Sequence, residues 1–348
     1  MTSGSTLLGP PGTSSRTRAA RSRTLGVLVA TCALGVLVLA SVTVGSRDVA
    51  WPDVWAGLRG STEGFGQAAV AKRLPRTVTA VLVGAALAVA GAVMQGVTRN
   101  PLADPGILGV NMGASLAVVV GLAYFQLSTP AVQVWTAIAG AAAAAVFVYA
   151  VGSLGRGGAT PLKLALGGAA TSAALASFIS AVVLPRNDIA ENVRSWQIGG
   201  VAGSTFATVA QVAPFLAAGF VVCALSARGL NSLALGDELA AGLGERVALV
   251  RAAAALGAVV LCGAATAATG PIAFVGLVVP HACRLLVGVD HRWLLPVSAV
   301  VGAALLTGAD VLGRVLVRPA ELDVGILTAL IGAPVFIAIV RRRTVRAL

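Results

Sequence analysis

RLPRTVTAVLVGAALAVAGAVMQGVTRNPLADPGILGVNMGA, residues Arg73 to Ala114, holds two apolar runs parted by a short polar segment. The first run, Thr77–Val97, is long enough to cross a bilayer as a helix, which takes roughly 20 apolar residues. The segment TRNPLADPGILG, Thr98–Gly109, then brings an arginine, an asparagine, an aspartate and two prolines, and the apolar pattern resumes at once. Pro101 and Pro105 stop helix continuation and stiffen the chain. Arg99 stands at the C-terminal end of the first run, where the helix dipole favours a cation. The stretch reads as two membrane-spanning helices joined by a stiff polar connector.

The rest of the chain has the same character. Of its 348 residues, 57% are apolar and only 11% charged, and the mean hydropathy is +0.91. A soluble domain carries about 25% charged residues, so the solvent for most of these side chains must be lipid. Runs long enough to span lie near Leu25–Gly45, Thr77–Val97, Gly106–Phe125, Ala131–Gly152 and Leu162–Leu184. Five more lie near Phe206–Ser226, Val247–Thr269, Ile272–Val287, Trp293–Gly313 and Gly325–Val340. The run at Ile272 is short and opens behind Gly270-Pro271, as a tilted or broken helix would. Period-2 alternation is absent, which excludes the other spanning solution, a closed barrel. The fold class expected is an all-α, polytopic membrane bundle of ten spans, with 24–348 as one transmembrane domain. Residues 1–23, rich in Ser, Thr, Gly and Arg and without an acid, read as a disordered tail.

Charge sets the orientation. With a cytoplasmic N-terminus and ten alternating spans, sixteen of the 25 basic residues fall inside, among them Arg16, Arg99, Arg156, Lys163, Arg251, Arg343 and Arg346. Five acids accompany them, so most of the +12 net charge lies on that side. This is the positive-inside pattern, and it puts both termini in the cytoplasm of a cell-membrane protein. The basic balance reports topology and calls for no nucleic acid.

Several chemistries are poorly equipped here. A P-loop needs lysine after glycine, and the only two lysines follow Ala71 and Leu162. An ion-coupled carrier, the alternative class, places ionisable groups deep in the membrane. The one carboxylate inside an apolar run is Asp310, with Arg314 one turn on to neutralise it. The cysteines Cys32, Cys223, Cys262 and Cys283 show no metal-ligand spacing. The histidines, His281 and His291, are placed at the end of the eighth span and in the loop after it, beside no nucleophile. No catalytic residue, metal site or cofactor is expected.

Four blocks carry a family resemblance: Arg73–Ala114; SLALGDELAAGLGERV, Ser232–Val247; GPIAFVGLVVPHACRLLVGVDHRWLLPVSAVVGA, Gly270–Ala303; and ELDVGILTALIGAPVFIAIVRR, Glu321–Arg342. They resemble the FecCD family, the membrane permeases of ABC importers for ferric siderophores, haem and cobalamin. The resemblance implies a second permease chain, identical or related, that encloses the path with this one. It also implies two ATPase subunits that use ATP and Mg, and an extracytoplasmic substrate-binding protein. The expected cargo is a ferric siderophore, with cobalamin or haem as the alternatives.

Residue roles follow by the same resemblance. Arg73, Arg76 and Arg314 match arginines at the outer mouth that receive acids of the binding protein. The loop 228–246 matches the element that sits on the ATPase, through Leu235, Gly236, Asp237, Glu238, Leu243 and Gly244. A short helix is expected at Asp237–Ala240 and a second beyond a break at Gly244. Asn100 and Leu102, with Thr160 and Pro161 opposite, match the cytoplasmic gate. AGAVMQGVTRNPL and CGAATAATGPIA are faintly alike, and an inverted repeat of helices two to five and seven to ten would place them at opposite faces.

Overall fold

The computed structural model describes residues 13–127, 129–154 and 160–342, and every regular element among them is a helix. In chain order these are α1 (Thr13–Thr43), α2 (Trp51–Leu58), α3 (Phe65–Val97), a 3₁₀ turn (Pro105–Leu108), α4 (Val110–Phe125), α5 (Pro130–Ser153) and α6 (Pro161–Val183). There follow α7 (Asn187–Ile198), α8 (Phe206–Leu233), α9 (Asp237–Gly242), α10 (Val247–Thr269), α11 (Val275–Val287), α12 (His291–Leu316) and α13 (Val324–Arg342). Each of the ten expected runs is a helix. Residues 1–12 of the expected tail, together with Arg156, Arg343 and Arg346, lie outside the described residues. The helical backbone of α1 already begins at Thr13, ahead of Leu25.

Two helices, α2 and α7, were not expected. Both are short and amphipathic, and neither gives a hydropathy signal of spanning length. The loop 228–246 also differs from expectation. Its first residues continue α8 as far as Leu233, α9 forms at Asp237, and the second short helix does not form separately. Gly244 takes a left-handed conformation with φ 86°, and the chain turns from it into α10 at Val247.

Among the described residues, seven helices are long and apolar enough to span; α4, α11 and the apolar part of α13 are shorter. The cause is visible at α4. The connector after Val97 folds back into the bundle, and the Asp104 carboxylate comes to rest against Gly276 of α11. Gly276 in turn packs on Gly91, about 9 Å inside the end of α3 at 1.5 Å per residue. So α4 starts at depth, and sixteen residues carry it to the other end. The eighth span mirrors this. Residues 270–274 are not helical, Phe274 is left-handed (φ 69°) against Gly332 of α13, and α11 starts within the bundle.

The centre is α3 against α10. Around this pair glycine lets neighbouring backbones meet, as it does in membrane bundles where packing must stand in for the hydrophobic effect. Gly84 of α3 faces Gly302 of α12, Gly113 of α4 faces Gly140 of α5, and Gly263 of α10 lies on Ile138 of α5. The pairing α3 with α12 repeats as α10 with α5, which is the order an inverted repeat of spans two to five and seven to ten produces.

Candidate functional site

Two groups of paired polar side chains lie at the two ends of this bundle. At one end α1 finishes and exposes its last carbonyls, which no helical N–H can satisfy. Two arginines from other helices serve them. Arg73 of α3 donates through Nη1 to the carbonyls of Val42 (3.2 Å) and Thr43 (2.9 Å), and through Nη2 to that of Arg47 (2.8 Å). Arg314 of α12 donates through Nη1 to the carbonyl of Ser41 (2.8 Å) and through Nη2 to the Ser41 hydroxyl (2.7 Å). The positive charges also oppose the negative end of the α1 dipole.

Arg76 ties this end together. Its Nε donates to Asp310 Oδ1 at 2.8 Å, and its Nη1 to Glu321 Oε2 at 2.6 Å. Arg314 lies 2.8 Å from the other oxygen of Asp310, the one-turn pairing that the sequence spacing predicts. Asp310 and Arg314 are each only 1% exposed. Arg76 and Arg314 therefore share the Asp310 carboxylate, Arg76 also holds Glu321, and Arg73 serves backbone carbonyls beside them. Glu321, in the loop between α12 and α13, is its solvent-facing member. Burial pushes the Glu321 carboxyl up, but Arg76 outweighs this and holds it below the ordinary range.

The expected docking arginines thus share one end but are buried in internal contacts. Arg73 and Arg314 are committed to α1, and Arg76 is covered by Glu321. Arg318, a fourth arginine nearby, is more exposed and pairs with Asp48 at 3.4 Å.

The opposite end holds the loop 228–246 and the connector. Leu235, Leu239 and Leu243 are 57%, 63% and 67% exposed, at i, i+4, i+8 spacing across α9. Large apolar side chains in a polar loop are not explained by the chain's own packing. Asp237, the first residue of α9, lies 3.1 Å from Arg99 of the connector and 3.0 Å from Arg251 of α10. At the end of α8, Asn231 donates to Asp290 (2.6 Å) and accepts from the His291 backbone N–H (2.9 Å). Asp290 caps α12, and the Arg292 backbone N–H holds its carboxyl below the usual range. His291 is the first residue of α12, not a loop residue; it is buried and packs against Gly96 of α3.

Asn100 accepts from the Leu102 backbone N–H (3.0 Å), a local turn that fixes the connector. A small cavity brings Asn100, Asp104 and Met94 up to Leu164 and Ala165 of α6. Thr160 caps α6 by accepting from the Lys163 N–H at 3.3 Å, one turn before that contact. The side chain of Pro161 lies outside the described residues. The structure therefore brings the connector to the first turns of α6, with Leu164 and Ala165, rather than Thr160, at the contact.

This architecture has known counterparts. The model of the FecCD transport family matches residues 33–342. The chain belongs to the FecCD transport family. Ferric enterobactin transport system permease protein FepD of Escherichia coli (strain K12) is 49% identical over 273 residues, 78% of this chain and 81% of that protein. Iron(3+)-hydroxamate import system permease protein FhuB of Bacillus subtilis (strain 168) is 42% identical over 328 residues, 92% of this chain and 85% of that one. A solved metal-chelate type ABC transporter, in an inward-facing conformation, matches with a TM-score of 0.78 at 27% identity, over 92% of this chain and all of that one. As a FecCD protein the chain is the multi-pass permease of an ABC importer and not an enzyme. It binds no cofactor, and ATP is used by the partner ATPase.

Sequence reasoning did not assign Glu321, Ser41, Arg251, Asn231, Asp290 or the Gln95–Arg284 contact of α3 with α11. Asp310 and Arg314 announce themselves by spacing. The others meet across tens to hundreds of residues, and only the folded bundle pairs them.

Proposed function

We propose that this FecCD permease carries a ferric siderophore across the cell membrane, with both termini in the cytoplasm. The observation that carries the cargo is its 49% identity with a permease named for ferric enterobactin. Two such chains, identical or related, enclose the path. The outward face of α6 fits a wall of that path: Ala169, Ala173, Ala176, Ser177 and Ser180 are exposed, small and without charge. A bulky chelate needs a smooth passage, and selectivity then belongs to the binding protein.

The arginine-rich end faces outward and receives the binding protein. Arg76 is the docking contact, reached through Glu321, while Arg73 and Arg314 hold the mouth in shape. Paired charges of this kind steer docking and fix register more than they add affinity. The other end faces the cytoplasm. There the leucine row Leu235, Leu239 and Leu243, flanked by Gly236, Asp237, Glu238 and Gly244, seats the loop on one of two ATPase subunits. Asn100 and Leu102 with the start of α6 narrow the inner end, Leu164 and Ala165 meeting the connector and Thr160 and Pro161 standing one turn before them.

Uptake of radio-iron as ferric siderophores, beside labelled cobalamin and haem, in cells with and without this chain tests the cargo. Loss of siderophore iron alone, restored by the intact gene, is the expected result. Loss of only cobalamin or only haem uptake keeps the architecture and replaces the cargo.

A further inference from the structure

The loop read above as the ATPase seat is joined to the connector read as the gate by one carboxylate. Asp237 Oδ1 lies 3.1 Å from Arg99 Nη2 and 3.0 Å from Arg251 Nη2. Arg99 is the first residue of the chain to leave helical geometry after α3, with φ 49° in the left-handed region that non-glycine residues seldom adopt. That turn aims its side chain across the loop. Gly236, which precedes Asp237 with φ 107° in the region that favours glycine, turns the chain into α9.

The ion pair is almost half exposed on both sides, and pairs of that kind add little to stability. Its position is more telling than its strength. Arg99 is followed directly by Asn100 and Leu102. Arg251 lies on α10, at the centre of the bundle. A displacement of α9 therefore reaches the gate and the central helix through the same side chain. A second tie lies alongside: Asn231, at the end of α8, is held by Asp290 and His291, and His291 abuts Gly96, just before the connector. The loop thus grips the end of α3 at two points, and the connector, stiffened by Pro101 and Pro105, must move with it.

We propose that Asp237 is a positioning residue that transmits movement of the ATPase seat to the gate, by holding Arg99 and Arg251 together. The proposal rests on the coupling and gate readings above, and its test separates the two. The complete transporter, with ATPase and binding protein, is reconstituted in lipid vesicles. Assembly, stimulated ATP hydrolysis and siderophore transported per ATP are measured.

Arg99→Gln is expected to assemble normally and to lower transport per ATP by about 5-fold or more, the lower end of ordinary coupling effects. Arg99→Lys, which keeps the charge, is expected to recover most of it. Asp237→Asn is expected to lower transport per ATP as well, and the double variant Arg99→Gln/Asp237→Asn to be no worse than Asp237→Asn alone, because both remove one link. Unchanged transport per ATP in Arg99→Gln would overturn the proposal. So would additive losses in the double variant, since the residues would then act separately. Leu239→Asp addresses the underlying reading: it is expected to prevent assembly with the ATPase. Normal assembly and transport in Leu239→Asp would remove α9 from the ATPase seat, whatever Arg99→Gln does.

Discussion

Arg76 Nη1 lies 2.6 Å from Glu321 Oε2, across 245 residues of sequence. The contact puts an acid of the chain itself on Arg76, the buried arginine proposed above as the docking contact. A carboxylate arriving from a binding protein must share Arg76 with Glu321 or displace it. Removal of the resident acid should therefore favour docking. In lipid nanodiscs, Glu321→Gln is expected to raise affinity for the binding protein by about 2- to 5-fold, the worth of one partly exposed ion pair. Arg76→Glu should abolish binding. Lower affinity in Glu321→Gln, or undiminished binding in Arg76→Glu, would take Arg76 off the docking face.

The same contact has a pH signature. Because the folded Glu321 carboxyl titrates below its ordinary value of 4.5, folding is favoured by its ionised form. That contribution is present above the unfolded value and disappears as pH falls through the folded one. Thermal unfolding in detergent should show the parent chain more stable than Glu321→Gln at neutral pH, with the gap closing on acidification below about 4.5. A gap that widened towards acid would mean that Arg76 does not hold Glu321 in solution.

Deeper in the cluster the expected losses are larger. Asp310 neutralises Arg76 and Arg314 together, and all three are buried. Asp310→Ala leaves the buried Arg314 without a carboxylate and Arg76 with Glu321 alone, a change that costs about 3–5 kcal/mol when a buried pair is broken. The prediction is a steep fall in folded protein on size-exclusion chromatography. Arg318→Ala serves as the control, because its partner Asp48 is exposed and the loss should be small.

How much of this was readable beforehand follows from range. Each of the ten apolar runs marked a helix, since an apolar run is a local property, but three of those helices are shorter than a full span because of packing that the run does not show. Asp310 and Arg314 could be paired because one helical turn separates them. Glu321 could not be paired with Arg76, nor Asp237 with Arg99, because nothing local links residues so far apart. Pro101 and Pro105 marked a stiff connector but carried no information on its depth, which Asp104 and Gly276 set by packing. The arginines at 73, 76 and 314 were singled out by resemblance, but the resemblance did not show that Arg73 and Arg314 are buried on the α1 carbonyls they serve, or Arg76 on Asp310 and Glu321. The helices α2 and α7 escaped because short amphipathic segments leave no mark in a search for long apolar runs.

Packing at the centre gives the last prediction. Gly91 of α3 meets Gly276 of α11 so closely that a Cβ on Gly91 would overlap the Gly276 carbonyl. The obstacle is backbone, which cannot rotate aside as a side chain would. Beside it, Gln95 Nε2 donates to the same Gly276 carbonyl at 3.2 Å, and the Asp104 carboxylate rests against Gly276. Gly91→Ala must therefore push α11 away from α3 and loosen the connector with it. Overpacking of this kind costs about 1–3 kcal/mol, and the expected result is a lower midpoint of thermal unfolding. Gly26→Ala on α1, where a Cβ meets nothing within 4 Å, should not lower the midpoint, since alanine is the better helix former. Equal behaviour of the two variants would mean that α3 and α11 are not in backbone contact.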